Sequence, residues 1–574
     1  MDWIIRHRNI FSSPDAHAAA DAGSLITQLL TGRGLSEQSM IHAYLEPKMS
    51  DLHPPEMIPG LTDAADRIIA AIKANEPIVL YGDYDVDGTT GTAILWHALT
   101  LAGHTPKTYI PHRIEEGYGL NREACETLGD GGAKVIVSID CGITACEVAD
   151  SLRTRGVDLI VTDHHKAQDE LPDAFAIVHP GLTREYPNPH LCGSGVAFKL
   201  AWAVAQRLNG GDRVAPEFRE LLLEMMPLVA LATIADVVPL VGENRVITRF
   251  GLERMPVSRL AGLRALIEVA RLDGKPIAAV DAAFRLAPRI NAAGRMQHAE
   301  LAVELFTTGD KQRAAEIATF LDKHNTERQS TERKVTKEAI AQVDEQQLAT
   351  EGRRAIVLAG DWHPGVVGIV ASRIVDRFHR PVVVISLNGE TGQGSARSIA
   401  NFDLSTALSE CNGSLLSYGG HAMAAGIRIE PDNIPTFTDQ FVEVANGKLT
   451  GRDMVPKLKL DAEVPLSALT LEAARTLQQF APFGEGNPEP RFCTDSVELA
   501  AEPRTVGKNG DHLQAVFRQG GVTVKSIAFR QASRIDKLRQ HRACRVAFKP
   551  IINEFNGRTS VEMQVIDFKF PDEE

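Results

Sequence analysis

The stretch IVLYGDYDVDG, Ile78–Gly88, decides how this chain is read. Ile78, Val79 and Leu80 make an apolar run that reads as a buried strand. Three aspartates follow at alternate positions: Asp83, Asp85 and Asp87. The next segment, TTGTAILWHALTLAG (89–103), reads as a helix. The same order recurs downstream. KVIVSID (134–140) ends a strand-like run on Asp140, and DLIVTD (158–163) ends one on Asp163, with His164 and His165 next. KTYIP (107–111) and AFAIVHP (174–180) complete the set. Apolar strands alternating with amphipathic helices predict an α/β domain with a largely parallel sheet. Ligands of such sheets bind beyond the carboxyl ends of the strands, so three strands aim acids and imidazoles at one crevice. Asp236, in the otherwise apolar ALATIADVVPL, is a fourth candidate, since a lone acid is costly to bury without a partner.

Each residue also has an ordinary explanation. Asp83 or Asp87 can cap the following helix, Asp140 can be a turn residue, and His165 can be a hydrogen-bonded core histidine. All of these holding together at convergent strand ends is the weaker reading. Clustered carboxylates repel one another unless a positive charge sits among them. Aspartate oxygens with one or two imidazoles suit Mn²⁺ or Mg²⁺ better than a soft-ligand zinc site. Five or so ligands exceed the need of one ion, which points to two.

The rest of the chain sets the context. Its 574 residues suggest three or four domains at roughly 150 residues each. Composition is that of a soluble globular protein. No apolar run reaches the roughly 18 residues of a membrane span, and the start MDWIIRHRNIF lacks a secretory signal. The seven cysteines form no CxxC pair and read as reduced residues of a cytoplasmic protein. The net charge of −13 argues against a uniformly basic nucleic-acid coat. Residues 501–550, however, hold 11 Lys/Arg against 3 Asp/Glu, either a solvated face or a patch for a polyanion. Residues 1–50 read as helical and 196–300 as mostly helical. From Lys311 to Glu351 no Gly or Pro occurs, and DKHNTERQSTERK is polar on every side, which predicts a helix bridging domains through solvent. RAIVLAG (354–360), VVGIVASRIVDRF (366–378), PVVVISL (381–387) and GIRIE (426–430) form a second α/β unit. PFGEGNPEP (482–490) reads as a boundary, and short alternating runs beyond it predict a small all-β domain, a barrel.

The motifs DYDVDG, SIDCGI, TDHH and IADVVPL, in this order, resemble the DHH phosphoesterase superfamily. APRINAAGRM (287–296), HPGVVGIVASR (363–373), GSARS (394–398), GGHAMAAG (419–426) and PFGEGNPEP are similar to its exonuclease branch. The resemblance implies an N-terminal segment (1–55), a DHH-type parallel-sheet catalytic domain (56–305), a connecting helix (306–352), a second α/β DHH-associated domain (353–450) and a C-terminal all-β OB-fold (451–574). It implies a single-stranded-DNA-specific 5′→3′ exonuclease that releases 5′-mononucleotides by a two-metal mechanism, in recombination and repair. The metal ligands implied are Asp85, Asp87, Asp140, His164 and Asp236, with Asp140 bridging. Asp83 is a ligand or stands behind one, and Tyr81 occupies a place where some relatives have a histidine ligand. His165 matches a phosphate-facing imidazole. Arg113, Arg289, Asn291, Arg295, Arg373, Ser395, Arg397, Gly419, Gly420 and His421 are the implied substrate contacts. Of these, Arg113, Ser395, Arg397 and His421 form the pocket for the DNA 5′ end. Phe517, Phe529, Phe548 and Phe555 either stack on bases or belong to the core. A single-strand-binding protein, a RecQ-type helicase and a monomeric state are further implications. The rivals are another DHH enzyme (an inorganic pyrophosphatase, a short-oligonucleotide phosphatase or a cyclic-dinucleotide phosphodiesterase) and a non-catalytic scaffold.

Overall fold

The computed structural model describes residues 1–7, 22–112, 116–211, 213–295, 299–387 and 390–573. The chain forms two compact units. One comprises Trp3–Asn291, Ala299–Ala315 and Lys459–Glu574, the other Met1–Asp2, Ala292–His298 and Glu316–Leu458.

The first unit contains a five-stranded, all-parallel sheet. Its spatial order is Lys107–Tyr109, Ile78–Gly82, Val135–Ile139, Asp158–Thr162, Ala176–Val178. The strands Ile78–Gly82 and Val135–Ile139 are buried along their whole length, as their unbroken apolar runs require. The order places the first strand of the sequence between the second and the third. The connections that follow Ile78–Gly82 and Val135–Ile139 therefore run in opposite directions, and a crevice opens between the carboxyl ends of these two strands. The helix after this strand runs Val86–Leu101, three residues longer at its start than the sequence reading. Neither Asp83 nor Asp87 caps it. Asp85 does, its Oδ1 accepting from the backbone N–H of Asp87 (2.8 Å) and Gly88 (3.2 Å).

The C-terminal part of the same unit closes a five-stranded barrel. Ala543–Phe555 pairs with Val497–Leu499, which pairs with His512–Gln519, then Val522–Ala528, then Arg558–Lys569, which returns to Ala543–Phe555. Within this ring of five strands each one has a partner on both sides. Strand Lys457–Glu463 extends this sheet through Phe492–Cys493, so PFGEGNPEP lies inside the module and not at its boundary. Residues Asp2–His7 are a strand of the same sheet, against the expected helix. The alternation in DWIIRH fits a pleat. Trp3 donates to Asp567 Oδ2 (2.9 Å) and lies beneath Arg545 and Lys569.

The second unit holds a five-stranded mixed sheet in the order Ser417–Gly420, Ala424–Ile429, Gly392–Arg397, Val382–Ser386, Ile356–Gly360. The long helix runs Lys311–Glu345, about 52 Å at 1.5 Å per residue. It is not polar all round. Asn325 and Glu332 are buried, and Arg328 reaches both, at 3.1 Å and 2.9 Å.

A buried polar hub sits within the first unit at Gly242–Arg254, a helix whose first turn reads GENR. Glu243 pairs with Lys199 and accepts from the Tyr186 hydroxyl and from the His53 N–H (2.8 Å). Burial works to strip Lys199 of its proton, and Glu243 opposes this. Removing one partner of such a pair strands the other charge in the core. Lys199→Met is therefore expected to cost about 3–5 kcal/mol, read by urea unfolding, with Lys199→Met/Glu243→Gln recovering part of the loss.

Candidate metal centre

Four sequence segments meet at the head of the parallel sheet. Asp83 follows the first strand, its N–H bonded to the Ile139 carbonyl (3.2 Å) of the neighbouring strand. Asp140 ends that neighbour in the left-handed region, φ +64°, a conformation that aspartate tolerates better than most residues. Asp87 is 1% exposed. Its two oxygens accept the N–H groups of Gly193 (2.6 Å) and Ser194 (2.7 Å), at the positive N-terminal end of helix Gly193–Leu208. Asp236 follows helix Pro216–Ala235.

Three overlapping groups result, each with its ligand atoms within 4.8 Å of one another: Asp83, Asp85 and Asp140; Asp87, His164 and Asp236; Asp140, His164 and His165. Asp140 and His164 each belong to two of them. His164 Nε2 stands 3.1 Å from Asp140 Oδ1, 3.5 Å from Asp236 Oδ2 and 3.7 Å from Asp87 Oδ2. Asp140 Oδ1 and His164 Nε2 are sealed from solvent, and neither makes a hydrogen bond. The electrostatics agree with this crowding. Burial and then the charges of Asp87, Asp85, Asp83 and Asp236 hold the Asp140 carboxyl well above the usual range. Burial, then Asp87 and Asp85, push Asp236 up to about 8. Such a set of donors fits a hard divalent cation. Gly193 makes room for the Asp140 side chain, since a Cβ there would lie 2.5 Å from Asp140 Cβ.

Asp163, the acid of the DHH run, turns inward. Its Oδ1 accepts from the backbone of His164 (2.7 Å) and His165 (3.1 Å) and from His165 Nδ1 (2.8 Å), and its Oδ2 accepts from the Ile143 N–H (2.9 Å). Burial works to raise its pKa, but these bonds outweigh burial and hold it at about 2. Burial likewise opposes charge on His165, and the Asp163 bond overrides it, lifting the imidazole to about 9. The Tyr118 hydroxyl lies 3.0 Å from His165 Nδ1 and bonds the Asp140 carbonyl (3.3 Å). The sequence reading aimed Asp163 at the crevice without giving it a part in the site, and it assigned no role to Tyr118, Gly193 or Ser194. GYGL and CGSG lack the Asp and His donors that mark the other segments, so spacing alone could not single them out.

The other expected contacts fall in two places. Near the centre, Asn291 Oδ1 accepts from the Val86 N–H (3.1 Å), steadying the loop that bears Asp85. Arg289 bonds the Arg285 carbonyl one turn back. In the second unit, Ser395 and Arg397 share strand Gly392–Arg397 and face Gly368. A Cβ there would approach Arg397 Nη2 to 3.1 Å and Ser395 Oγ to 3.3 Å. Gly419 and Gly420 end strand Ser417–Gly420 and His421 opens the turn to Ala424–Ile429, with Gly420 at φ +139° and the His421 N–H on the Ala424 carbonyl (2.8 Å). Arg373 donates to Glu332 (3.2 Å). Arg113 and the Arg295 side chain lie outside the described residues.

Six of the eleven basic residues of 501–550 are paired with nearby acids. Arg518, Arg534, Lys537, Arg539, Arg545 and Lys549 pair with Glu498, Glu573, Asp572, Glu502, Glu463 and Glu489. Arg504, Lys508, Lys525, Arg530 and Arg542 make no ion pair among the described residues. Phe517 and Phe548 are core residues, whereas Phe529 is 50% and Phe555 70% exposed. Phe529 packs edge-on against His512.

Comparison with known proteins agrees with this architecture. The DHH family N-terminal domain matches residues 77–233, the DHHA1 domain 334–447 and the RecJ OB domain 460–567. The single-stranded-DNA-specific exonuclease RecJ of Bacillus subtilis (strain 168) is 37% identical over 95% of this chain and 67% of its own length. That of Dickeya dadantii (strain 3937) is 35% identical over 94% and 95%. The crystal structure of RecJ in complex with Mn²⁺ from Thermus thermophilus superposes with a TM-score of 0.83 at 33% identity, covering 99% of this chain and 80% of that one. A parallel sheet crowned by acids, a DHHA1 module and an OB barrel, matched over nearly the whole length, place this chain in the RecJ family.

Proposed function

We propose that the acidic clusters hold two divalent ions, Mn²⁺ or Mg²⁺, and that the chain is a single-stranded-DNA-specific 5′→3′ exonuclease releasing 5′-mononucleotides, acting in recombination and repair. The observation that carries this is the pair Asp140 Oδ1 and His164 Nε2, sealed from solvent, 3.1 Å apart and without hydrogen bonds amid four further carboxylates. Asp83, Asp85 and Asp140 would hold one ion, and Asp87, His164 and Asp236 the other. Bound there, the ions supply Lewis acidity toward water and phosphoryl oxygens.

The chain's own residues do the positioning. Asp85 spends one oxygen on its cap and keeps the other for a ligand. Asp87 is locked by a helix N-terminus. Asp163 fixes His165 through Nδ1, so that a charged imidazole with the Tyr118 hydroxyl beside it can meet the non-bridging oxygens of a phosphodiester. Ser395, Arg397, Gly419, Gly420, His421 and Arg373 offer a hydroxyl, guanidinium forks and close backbone approach, the chemistry that binds phosphate. The family resemblance supports the same role for Arg113, Arg289 and Arg295. Asn291 acts through the Val86 N–H.

We read residues 1–55 as an N-terminal segment, 56–305 as the catalytic domain, 306–352 as a connecting helix, 353–450 as the DHH-associated domain and 451–574 as the OB-fold. On the barrel, Arg504 and Gln514 pair across one edge, Lys525 lies opposite Val516, and Phe529 adjoins His512. This cationic, partly aromatic surface suits a single strand. The resemblance supports a cytoplasmic monomer working beside a single-strand-binding protein and a RecQ-type helicase.

The direct test uses a 5′-labelled and a 3′-labelled single strand with Mn²⁺, with Mg²⁺ and with EDTA, beside a duplex. The 5′ label should appear at once as mononucleotide while the 3′-labelled strand shortens gradually, only with metal and only on single strands. Cleavage confined to dinucleotides would make this a different DHH enzyme, and binding without cleavage a scaffold. Asp140→Ala should lower the cleavage rate by at least about 10²–10³-fold while single-strand binding persists. Phe529→Ala should weaken single-strand affinity by about 1–3 kcal/mol, measured by fluorescence anisotropy. Lys525→Ala should lower the slope of log affinity against log salt by about 0.7.

A further inference from the structure

Asp236 differs from the other candidate ligands, because among the described residues no strand of the sheet and no helix N-terminus holds its carboxylate. It follows the last turn of helix Pro216–Ala235, and the next residue, Val237, is left-handed at φ +60°, which a β-branched side chain resists. The loop must therefore be fixed from outside. The fixing points are Pro239 and Leu240. The Pro239 carbonyl accepts from Asn244 Nδ2 (3.1 Å), and the Leu240 N–H donates to the Glu485 carbonyl (2.8 Å). Glu485 belongs to the turn Pro482–Pro488 of the C-terminal module. Gly484 of that turn abuts Leu240, where a Cβ would come within 2.7 Å of Leu240 Cδ1. Gly486, at φ +68°, abuts Pro239, where a Cβ would lie 3.0 Å from Pro239 Cβ.

The turn is built to hold its shape. Gly484 and Asn487 exchange backbone hydrogen bonds of 3.0 and 3.2 Å. The Asn487 side chain, 1% exposed, donates to the carbonyls of Phe480 (2.9 Å) and Pro482 (2.7 Å) and accepts from the Tyr44 hydroxyl (2.8 Å) and from Arg33. Beside it, buried Arg245 donates to the carbonyls of Tyr44 (2.8 Å), Phe480 (2.8 Å) and Gln479 (3.0 Å). A domain linker needs none of this.

We propose that the Pro482–Pro488 turn positions Asp236 and so sets the affinity of the ion site made by Asp87, His164 and Asp236, while leaving the Asp83–Asp85–Asp140 site alone. The proposal rests on the reading of these residues as metal ligands. Its residues are positioning residues, since they touch the Asp236 loop and not the ion.

The test is an equilibrium Mn²⁺ titration of the full chain, following free Mn²⁺ by electron paramagnetic resonance, with thermal unfolding in parallel. Asp236→Asn should abolish one class of Mn²⁺ binding. Gly486→Ala should weaken that same class by roughly 10–100-fold, the scale of groups that orient metal ligands, and leave the other class unchanged. Should Gly486→Ala fail to fold, Gly484→Ala, whose methyl meets a side-chain end, is read in its place. If the folded variant binds both classes as the wild type does, or loses both equally, the turn is only structural and the proposal is overturned. If Asp236→Asn itself leaves both classes intact, the ligand reading fails, and the proposal fails with it.

Discussion

The constraint on which this structure depends is electrostatic repulsion among buried carboxylates. Asp83, Asp85, Asp87, Asp140 and Asp236 converge at the switch point of a parallel sheet. Burial drives Asp85, Asp140 and Asp236 toward their neutral forms, and the neighbouring carboxylates raise all three further. A fold tolerates such a cluster where a cation relieves it. The apolar strands, the buried helix packing and the glycine at position 193 serve to hold the acids where repulsion would otherwise part them.

How each acid is held differs. Asp87 is held through two backbone N–H groups, Asp85 through its own helix cap, and Asp163 through four bonds that orient the following histidines. These are backbone or near-backbone restraints, stiff and short. Asp236 depends on a loop whose next residue is strained and whose fixing points belong partly to the C-terminal module. The metal centre and the barrel thus share one compact unit, joined through the GENR turn and the PFGEGNP turn.

The sheet and its strand ends were legible in the sequence, because unbroken Val/Ile/Leu runs ending on Asp leave few alternatives. The candidate donors were legible for the same reason: an acid after a buried strand has a definite address. What escaped was whatever depends on tertiary partners. Asp85, not Asp83 or Asp87, caps the helix because the helix begins three residues earlier than the apolar pattern suggests. Asp163 faces inward because Ile143 offers it an N–H. Asn325 and Glu332 are buried on a helix that reads as polar, since Arg328 satisfies both. The positive charge at 501–550 is real in sequence and in part cancelled in space by acids such as Glu463 and Glu489. PFGEGNPEP has the composition of a linker, yet the buried Asn487 side chain ties it to the carbonyls of Phe480 and Pro482.

If the crowded acids bind two ions, anomalous X-ray scattering from crystals of the full chain grown with Mn²⁺ will locate both. Two peaks should appear, one among Asp83, Asp85 and Asp140 and one among Asp87, His164 and Asp236. A single peak, or Mn²⁺ bound away from Asp140 and His164, would contradict the account.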